Sequence, residues 1–246
     1  MNVTLPVNYD LIQAVRVAQA LMEAGITVGV PKEHAHKFSY LANHGFMVSY
    51  SISRTNAHDL KMELLHTKPF VKIGSHEGLF LYPKQLFKKS KALWTERDQE
   101  YLFRAYPTPD RLKAAAEWME NTGLVPSVKM HNFERMTGSS KLWDEEYYRD
   151  IARSKFSVIP NGLDGELPEH KSSSDLKWTY RFLDALLCGA IPIVQGHTAL
   201  YEGFEYYLMS DKEYIYDPGI AERNFEKAYL KFTVGNAALR QFVGEA

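Results

Sequence analysis

The sequence predicts an α/β protein made of two β/α halves, and three stretches carry that reading. Residues 1–31 alternate strand, amphipathic helix and strand. Residues 101–131 repeat the pattern, and residues 176–195 join an apolar helix to an apolar strand through a glycine. The 246 residues are 45% hydrophobic, enough for one large core or two smaller ones.

In the first half, a strand is expected at Val3–Val7, a helix at Leu11–Ala24 and a second strand at Thr27–Val30. Leu11, Ile12, Val15, Ala18, Leu21 and Met22 form the apolar face of that helix, and Gly25 stops it. The junction Pro6-Val7-Asn8-Tyr9-Asp10 lacks the G-x-G-x-x-G turn of a dinucleotide fold, which argues against an NAD or FAD enzyme. Ligands of open α/β sheets gather at the carboxyl ends of strands, so Asn8, Tyr9 and Asp10 would line a cleft; Asp10 is alternatively a helix cap. Helical turns are expected at His36–Asn43 and Asn56–Leu65, with a strand near Met47–Ile52. His34 and His36 alternate, but no third ligand stands at metal-binding spacing. The strand Phe70–Gly74 runs into Gly74-Ser75-His76-Glu77-Gly78. A His-Glu pair between glycines, just past a strand, is the best placed acid/base candidate here; an ordinary polar turn is the alternative. Tyr82–Leu93 reads as a helix bridging the halves.

The second half opens with a strand at Tyr101–Phe103 and the polar stretch Arg104 to Arg111. Thr108 or Asp110 would cap the helix Arg111–Asn121, and Gly123 would end it. A strand at Ser127–His131 follows, then an acidic helix at Leu142–Ser154 with Tyr147, Tyr148 and Ile151 inward, then the strand Phe156–Ile159. In the helix after it, Leu183, Leu186 and Leu187 face a core, and Tyr180, Arg181 and Asp184 occupy the other side. Arg181 and Asp184 are three residues apart and stack along the axis. An Arg in the first turn of a helix makes its N-terminus an anion site, and a carboxylate one turn deeper suits ribose hydroxyls; an intrahelical ion pair is the plainer reading. Gly189 turns the chain into Ile191–Val194, where Pro192 suits a strand start or an edge. A strand near Glu213–Tyr216 and a helix from about Ala221 complete the chain.

Composition excludes several classes. Net charge is −1 with no run of like charges, which argues against nucleic acid or an anionic membrane surface as partner. Lys84, Lys88, Lys89 and Lys91 read as a solvated helix face. The single cysteine, Cys188, rules out an internal disulfide and a cysteine-based metal site. No apolar run reaches membrane-spanning length and no leader pattern opens the chain, so a soluble protein of a reducing compartment, the cytoplasm, is expected, without membrane insertion.

From Tyr148 to Ile193 the chain resembles exostosin-like glycosyltransferases (glycosyltransferase family 47). Their strand ending in P-x-G, Ser-containing loop, R-[FL]-x-[ED]-A-L helix and G-[AC]-I-P-[IV] strand are matched in order. The matching residues are Pro160-Asn161-Gly162, Ser172 to Ser174, Arg181-Phe182-Leu183-Asp184-Ala185-Leu186 and Gly189-Ala190-Ile191-Pro192-Ile193, over about 45 residues. Asp184 departs from the more usual Glu, and Thr179-Tyr180 from the Ser before the Arg. The family carries an N-terminal anchor in eukaryotes; without one, this chain resembles a small viral (chlorella-virus-type) or bacterial member, or a shortened chain.

The resemblance implies a GT-B fold, two Rossmann-like domains facing across a cleft. Residues 1–95 would bind the acceptor, 96–220 the donor, and the helix in 221–246 would pack back on the first domain. It also implies an inverting hexosyl- or pentosyltransferase without a metal or cofactor, moving a sugar from a nucleoside diphosphate donor to a glycan hydroxyl. Uridine diphosphate sugars are the family habit, and a virus-type member would point to xylose. The donor would be held by Arg181, Asp184, Tyr180, Arg104, Arg111, Asn161, Gly162 and Ser174. Glu77 is the expected base, with His76 and Asp10 behind it, and Asp164-Gly165-Glu166 is the nearest approach to a metal-binding D-x-D. A monomer or weak dimer is expected. The alternatives are a non-catalytic nucleotide-sugar-binding partner subunit and a sugar-nucleotide epimerase.

Overall fold

The computed structural model describes residues 2–4, 11–30, 38–48, 58–59, 71–73, 75–130, 143–160 and 179–244. Expectations that fall on Asp10, Asn161, Gly162, Asp164 to Glu166 and Ser172 to Ser174 lie outside them, as does most of the strand expected at Met47–Ile52. The chain forms two compact units, one of Met1–Phe87, Ser139–Trp143 and Tyr229–Ala246, the other of Lys88–Gly138 and Asp144–Ala228.

The first unit contains β1 (Asn2–Thr4), α1 (Leu11–Glu23), β2 (Thr27–Gly29), the short helix α2 (Ser39–Asn43), β3 (His58–Asp59), β4 (Val71–Ile73) and β5 (His76–Leu79). β2, β1 and β3 form a parallel sheet in that order, and β4 and β5 pair antiparallel. Helix α1 ends as its sequence predicts. Gly25 takes φ 78°, the Ile26 amide bonds to Leu21 O at 3.1 Å and the Gly25 amide to Met22 O at 2.9 Å, so two end carbonyls are satisfied. Ala14, Ala18, Leu21 and Val28 are buried with Leu239 and Val243 of a C-terminal helix, α8 (Asn236–Gly244). That helix also satisfies the end of α1, since Asn236 Nδ2 donates to Glu23 O at 3.0 Å and Arg240 Nη1 to Ala24 O at 2.9 Å.

Two expectations change in this unit. His58 and Asp59 are extended and pair with Val3 and Thr4, not helical. His76 and Glu77 lie within strand β5, where His76 pairs with Ile73, and not in a turn. In both places a partner strand decides a conformation that local pattern leaves open.

The second unit is a doubly wound sheet. Helix α3 (Lys84–Ala92), whose first turn belongs to the first unit, leads into β6 (Gln99–Ala105), α4 (Pro109–Thr122), β7 (Ser127–Met130), α5 (Glu145–Ala152), β8 (Ser154–Ile159), α6 (Tyr180–Cys188), β9 (Ile191–Val194), β10 (Tyr207–Leu208) and α7 (Pro218–Phe232), whose last turn again belongs to the first unit. All five strands are parallel, in the order β10-β9-β8-β6-β7. The first connection therefore steps one way and the later ones the other, so the order reverses between β6 and β8. Phe103, Ala105, Trp118, Phe156, Val158, Ile191 and Ile193 make the core between sheet and helices.

The sheet edge beyond β9 also departs from expectation. β10 at Tyr207–Leu208 is the added strand, and residues 213–216 form none. Their backbone is held by side chains instead: the Ile215 amide donates to Tyr207 Oη at 3.1 Å, and Tyr207 Oη donates to Ile215 O at 3.0 Å. Pro192 is tolerated because β10 pairs only with Ile193 and Val194, one residue further on. The single helix expected from Ala221 is two, α7 and α8, separated by residues 233–235. Among the described residues no helix is long and apolar enough to cross a membrane.

Candidate functional site

The site begins where β6 and β8 end, at the point of strand-order reversal. After β6, Thr108 takes an extended conformation and caps α4, accepting from the Arg111 amide at 3.4 Å, with Pro109 at the first helical position. The cap puts Arg111 in the first turn. Its Nη1 donates to Tyr106 O at 3.3 Å, while its buried Nε has no hydrogen-bond partner among the described residues. After β8, Thr179 caps α6 in the same manner, accepting from the Arg181 amide and from Arg181 Nε, each at 3.4 Å. Arg181 Nη2 donates to Pro160 O at 2.7 Å, and its buried Nη1 has no partner among the described residues.

Two guanidinium groups thus stand at two helix N-termini on adjacent strands. Burial, and next the positive charge of Arg111, lower Arg181 from its usual value to about 10; Tyr147, Tyr201 and Asp184 oppose the shift. Burial lowers Arg111 as well. A positive charge close enough to depress Arg181, beside partially positive helix ends, makes a place where an anion is favoured.

Asp184 has a different setting from the ligand contact expected of it. It is 5% exposed, and its carboxylate accepts from Tyr147 Oη at 2.9 Å and from Tyr148 Oη at 3.3 Å, both on α5. In this position it joins α5 to α6 and lies near Arg181. The Arg104 side chain is 9% exposed and forms an ion pair with Asp150 on α5, with Glu146 3.8 Å away. Lys129, its neighbour in register on β7, reaches the same Asp150 at 2.7 Å. The Arg104 guanidinium also lies 5.4 Å from the centre of the Tyr147 ring. Asp150 balances its charge, which makes Arg104 a fastener of α5 to the sheet. Tyr180 is half-buried at the start of α6.

His76 and Glu77 belong to the first unit. The His76 ring stacks on Phe242 of α8 with centroids 3.9 Å apart, and Glu77 is exposed on β5. Among the described residues no group of three or more metal-ligating side chains converges.

Sequence reading missed several residues beside Arg181. Tyr201 stacks on Phe182 with centroids 3.8 Å apart, and Tyr206 meets both rings edge-on at 5.7 and 5.8 Å. Tyr206 Oη lies 2.7 Å from Nδ1 of the exposed His197, three residues past the end of β9. The available signal was a histidine in Gln195-Gly196-His197-Thr198, directly after an apolar strand. Arg97 was also missed: it donates to Ala152 O and Ser154 O, each at 2.7 Å, and to Cys188 O at 3.0 Å.

The chain matches no family model and no curated protein. Among solved structures it is similar to AviGT4, a glycosyltransferase involved in avilamycin A biosynthesis, with a TM-score of 0.48 and 11% identity over 98% of this chain and 90% of that one.

Proposed function

We propose that this protein is a glycosyltransferase of the exostosin-like kind, with a GT-B arrangement, that transfers a sugar from a nucleoside diphosphate, uridine diphosphate foremost, to a glycan hydroxyl. The observation that carries the reading is the pair Arg111 and Arg181 at the reversal point of a parallel sheet, each in the first turn of a helix. Arg181 keeps a buried N–H group with no acceptor among the described residues. A diphosphate supplies the missing acceptors and the missing negative charge together. The motif order around Pro160, Arg181 and Gly189 supports the same donor class.

In this reading Arg111, Arg181 and the two helix ends stabilise the charge that grows on the departing diphosphate, without a metal. Asp184, tied to Tyr147 and Tyr148, positions the helix that bears Arg181. An acceptor oxygen attacks the anomeric carbon from the opposite face and the configuration inverts as a carboxylate base takes its proton.

Calorimetric titration of uridine diphosphate, with and without chelator, into wild type and Arg181→Gln tests this reading. Binding that withstands chelator and falls at least tenfold in the variant supports it, since a charge-assisted contact accounts for a change of about that size. A wild type that binds no nucleoside diphosphate overturns it. Binding without turnover on any sugar nucleotide and glycan would favour a partner subunit.

A further inference from the structure

Beyond the two arginines, the carboxyl edge of the same sheet carries a second polar constellation. It lies one strand further out, at the end of β9, about 4.8 Å from β8 by ordinary sheet spacing. Gln195 to Thr198 leave the strand there, and His197 is exposed. The turn is anchored from below: Thr198 caps a short 3-10 turn, accepting from the Leu200 amide at 3.2 Å, and Tyr201 packs flat on Phe182, next to Arg181 in sequence. Tyr206 stands edge-on to that stack and meets His197 Nδ1 at 2.7 Å.

The direction of the Tyr206–His197 bond follows from satisfying the phenol. Tyr206 is half-buried, and burial raises its pKa, so it keeps its proton. Its hydroxyl lies 2.7 Å from His197 Nδ1, within hydrogen-bond distance. With the phenol donating to Nδ1, the ring carries an N–H on Nε2, on its side away from Tyr206. The result is a single, fixed N–H donor beside an aromatic edge. Such a donor suits a hydroxyl better than a phosphate, for which the arginines are placed.

We propose that His197, held by Tyr206, contacts the donor sugar, its Nε2–H donating to a hydroxyl of the sugar carried by the diphosphate at Arg181. The proposal rests on the donor reading given above. His197 is then a specificity-determining residue and Tyr206 a positioning residue.

The test compares uridine diphosphate with the glucose, xylose, glucuronate and N-acetylglucosamine forms of that nucleotide, titrated into wild type, His197→Ala, His197→Gln and Tyr206→Phe. His197→Ala is expected to weaken the preferred sugar nucleotide about fivefold and uridine diphosphate less than twofold, the size of one neutral hydrogen bond. Gln places an N–H near the Nε2 position, so His197→Gln is expected to restore most of the loss. Nitrogen chemical shifts of the His197 ring are expected to report Nε2–H in wild type and a tautomer mixture in Tyr206→Phe. Equal weakening of both ligands by His197→Ala, no weakening, or an Nδ1–H ring in wild type overturns the proposal while leaving the donor reading intact. A wild type that binds none of the five ligands overturns the donor reading and this proposal with it.

Discussion

Tyr147 donates its hydroxyl to Asp184 Oδ2 at 2.9 Å across the interface of α5 and α6, and Tyr148 donates to the other oxygen at 3.3 Å. A buried carboxylate with these donors is an internal joint, and removing a donor leaves a desolvated acceptor behind. Tyr147→Phe is expected to cost about 1–3 kcal/mol of stability, read from urea unfolding. In a double-mutant cycle with Asp184→Asn the two losses should be non-additive. Additive losses would mean that the bond does not join the helices.

Gly189 closes α6 at φ 71°, and an added Cβ would meet Arg97 Nη2 at 2.4 Å and the Trp94 ring at 2.5 Å. Neither neighbour can withdraw freely. Arg97 donates to three carbonyls, and Trp94 Nε1 donates to Leu187 O at 3.0 Å. Gly189→Ala combines left-handed strain with overpacking and should destabilise the protein by about 3 kcal/mol, visible as a large fall in Tm. A fall no greater than that of Gly123→Ala, which has the same φ and open space around it, would contradict the packing argument.

Thr179 serves both the helix and the site, because its Oγ1 accepts from the Arg181 amide and from Arg181 Nε. Thr179→Ala should cost about 1 kcal/mol as a lost cap and also weaken uridine diphosphate binding, whereas Thr179→Ser should preserve both. If the alanine variant binds nucleotide as tightly as wild type, the cap does not orient Arg181.

The positive charge of Arg111 lowers the pKa of Arg181, a repulsion that works against stability. The folded pKa of Arg181 lies at about 10, below its ordinary value. A depressed cation opposes folding at every pH where both states are protonated, and the penalty fades as pH rises through 10 towards the ordinary arginine value. Arg111→Gln removes one source of it. The variant should be at least as stable as wild type at pH 7 and bind nucleotide about tenfold more weakly. Its stability advantage should shrink above pH 10. A variant less stable than wild type at pH 7 would show that the Tyr106 contact outweighs the repulsion.

The sequence by itself determined what short-range chemistry encodes. Thr108 and Gly123 bracket α4, Gly25 and Gly189 end α1 and α6, and the apolar periods of those helices mark their buried faces. A cap or a left-handed glycine acts within five residues, so its signal survives without the rest of the chain. Tertiary structure decided everything that needs a distant partner. His58 and Asp59 became a strand because β1 lies beside them, and Tyr207, not residues 213–216, extended the sheet along β9. Arg111 and Arg181, seventy positions apart in the chain, became neighbours because β6 and β8 pair where the strand order reverses. Asp184 looked like a surface carboxylate until Tyr147 and Tyr148 closed over it. Charge pairing and burial depend on which elements meet, and helical or strand periodicity records only which face of each element is turned inward.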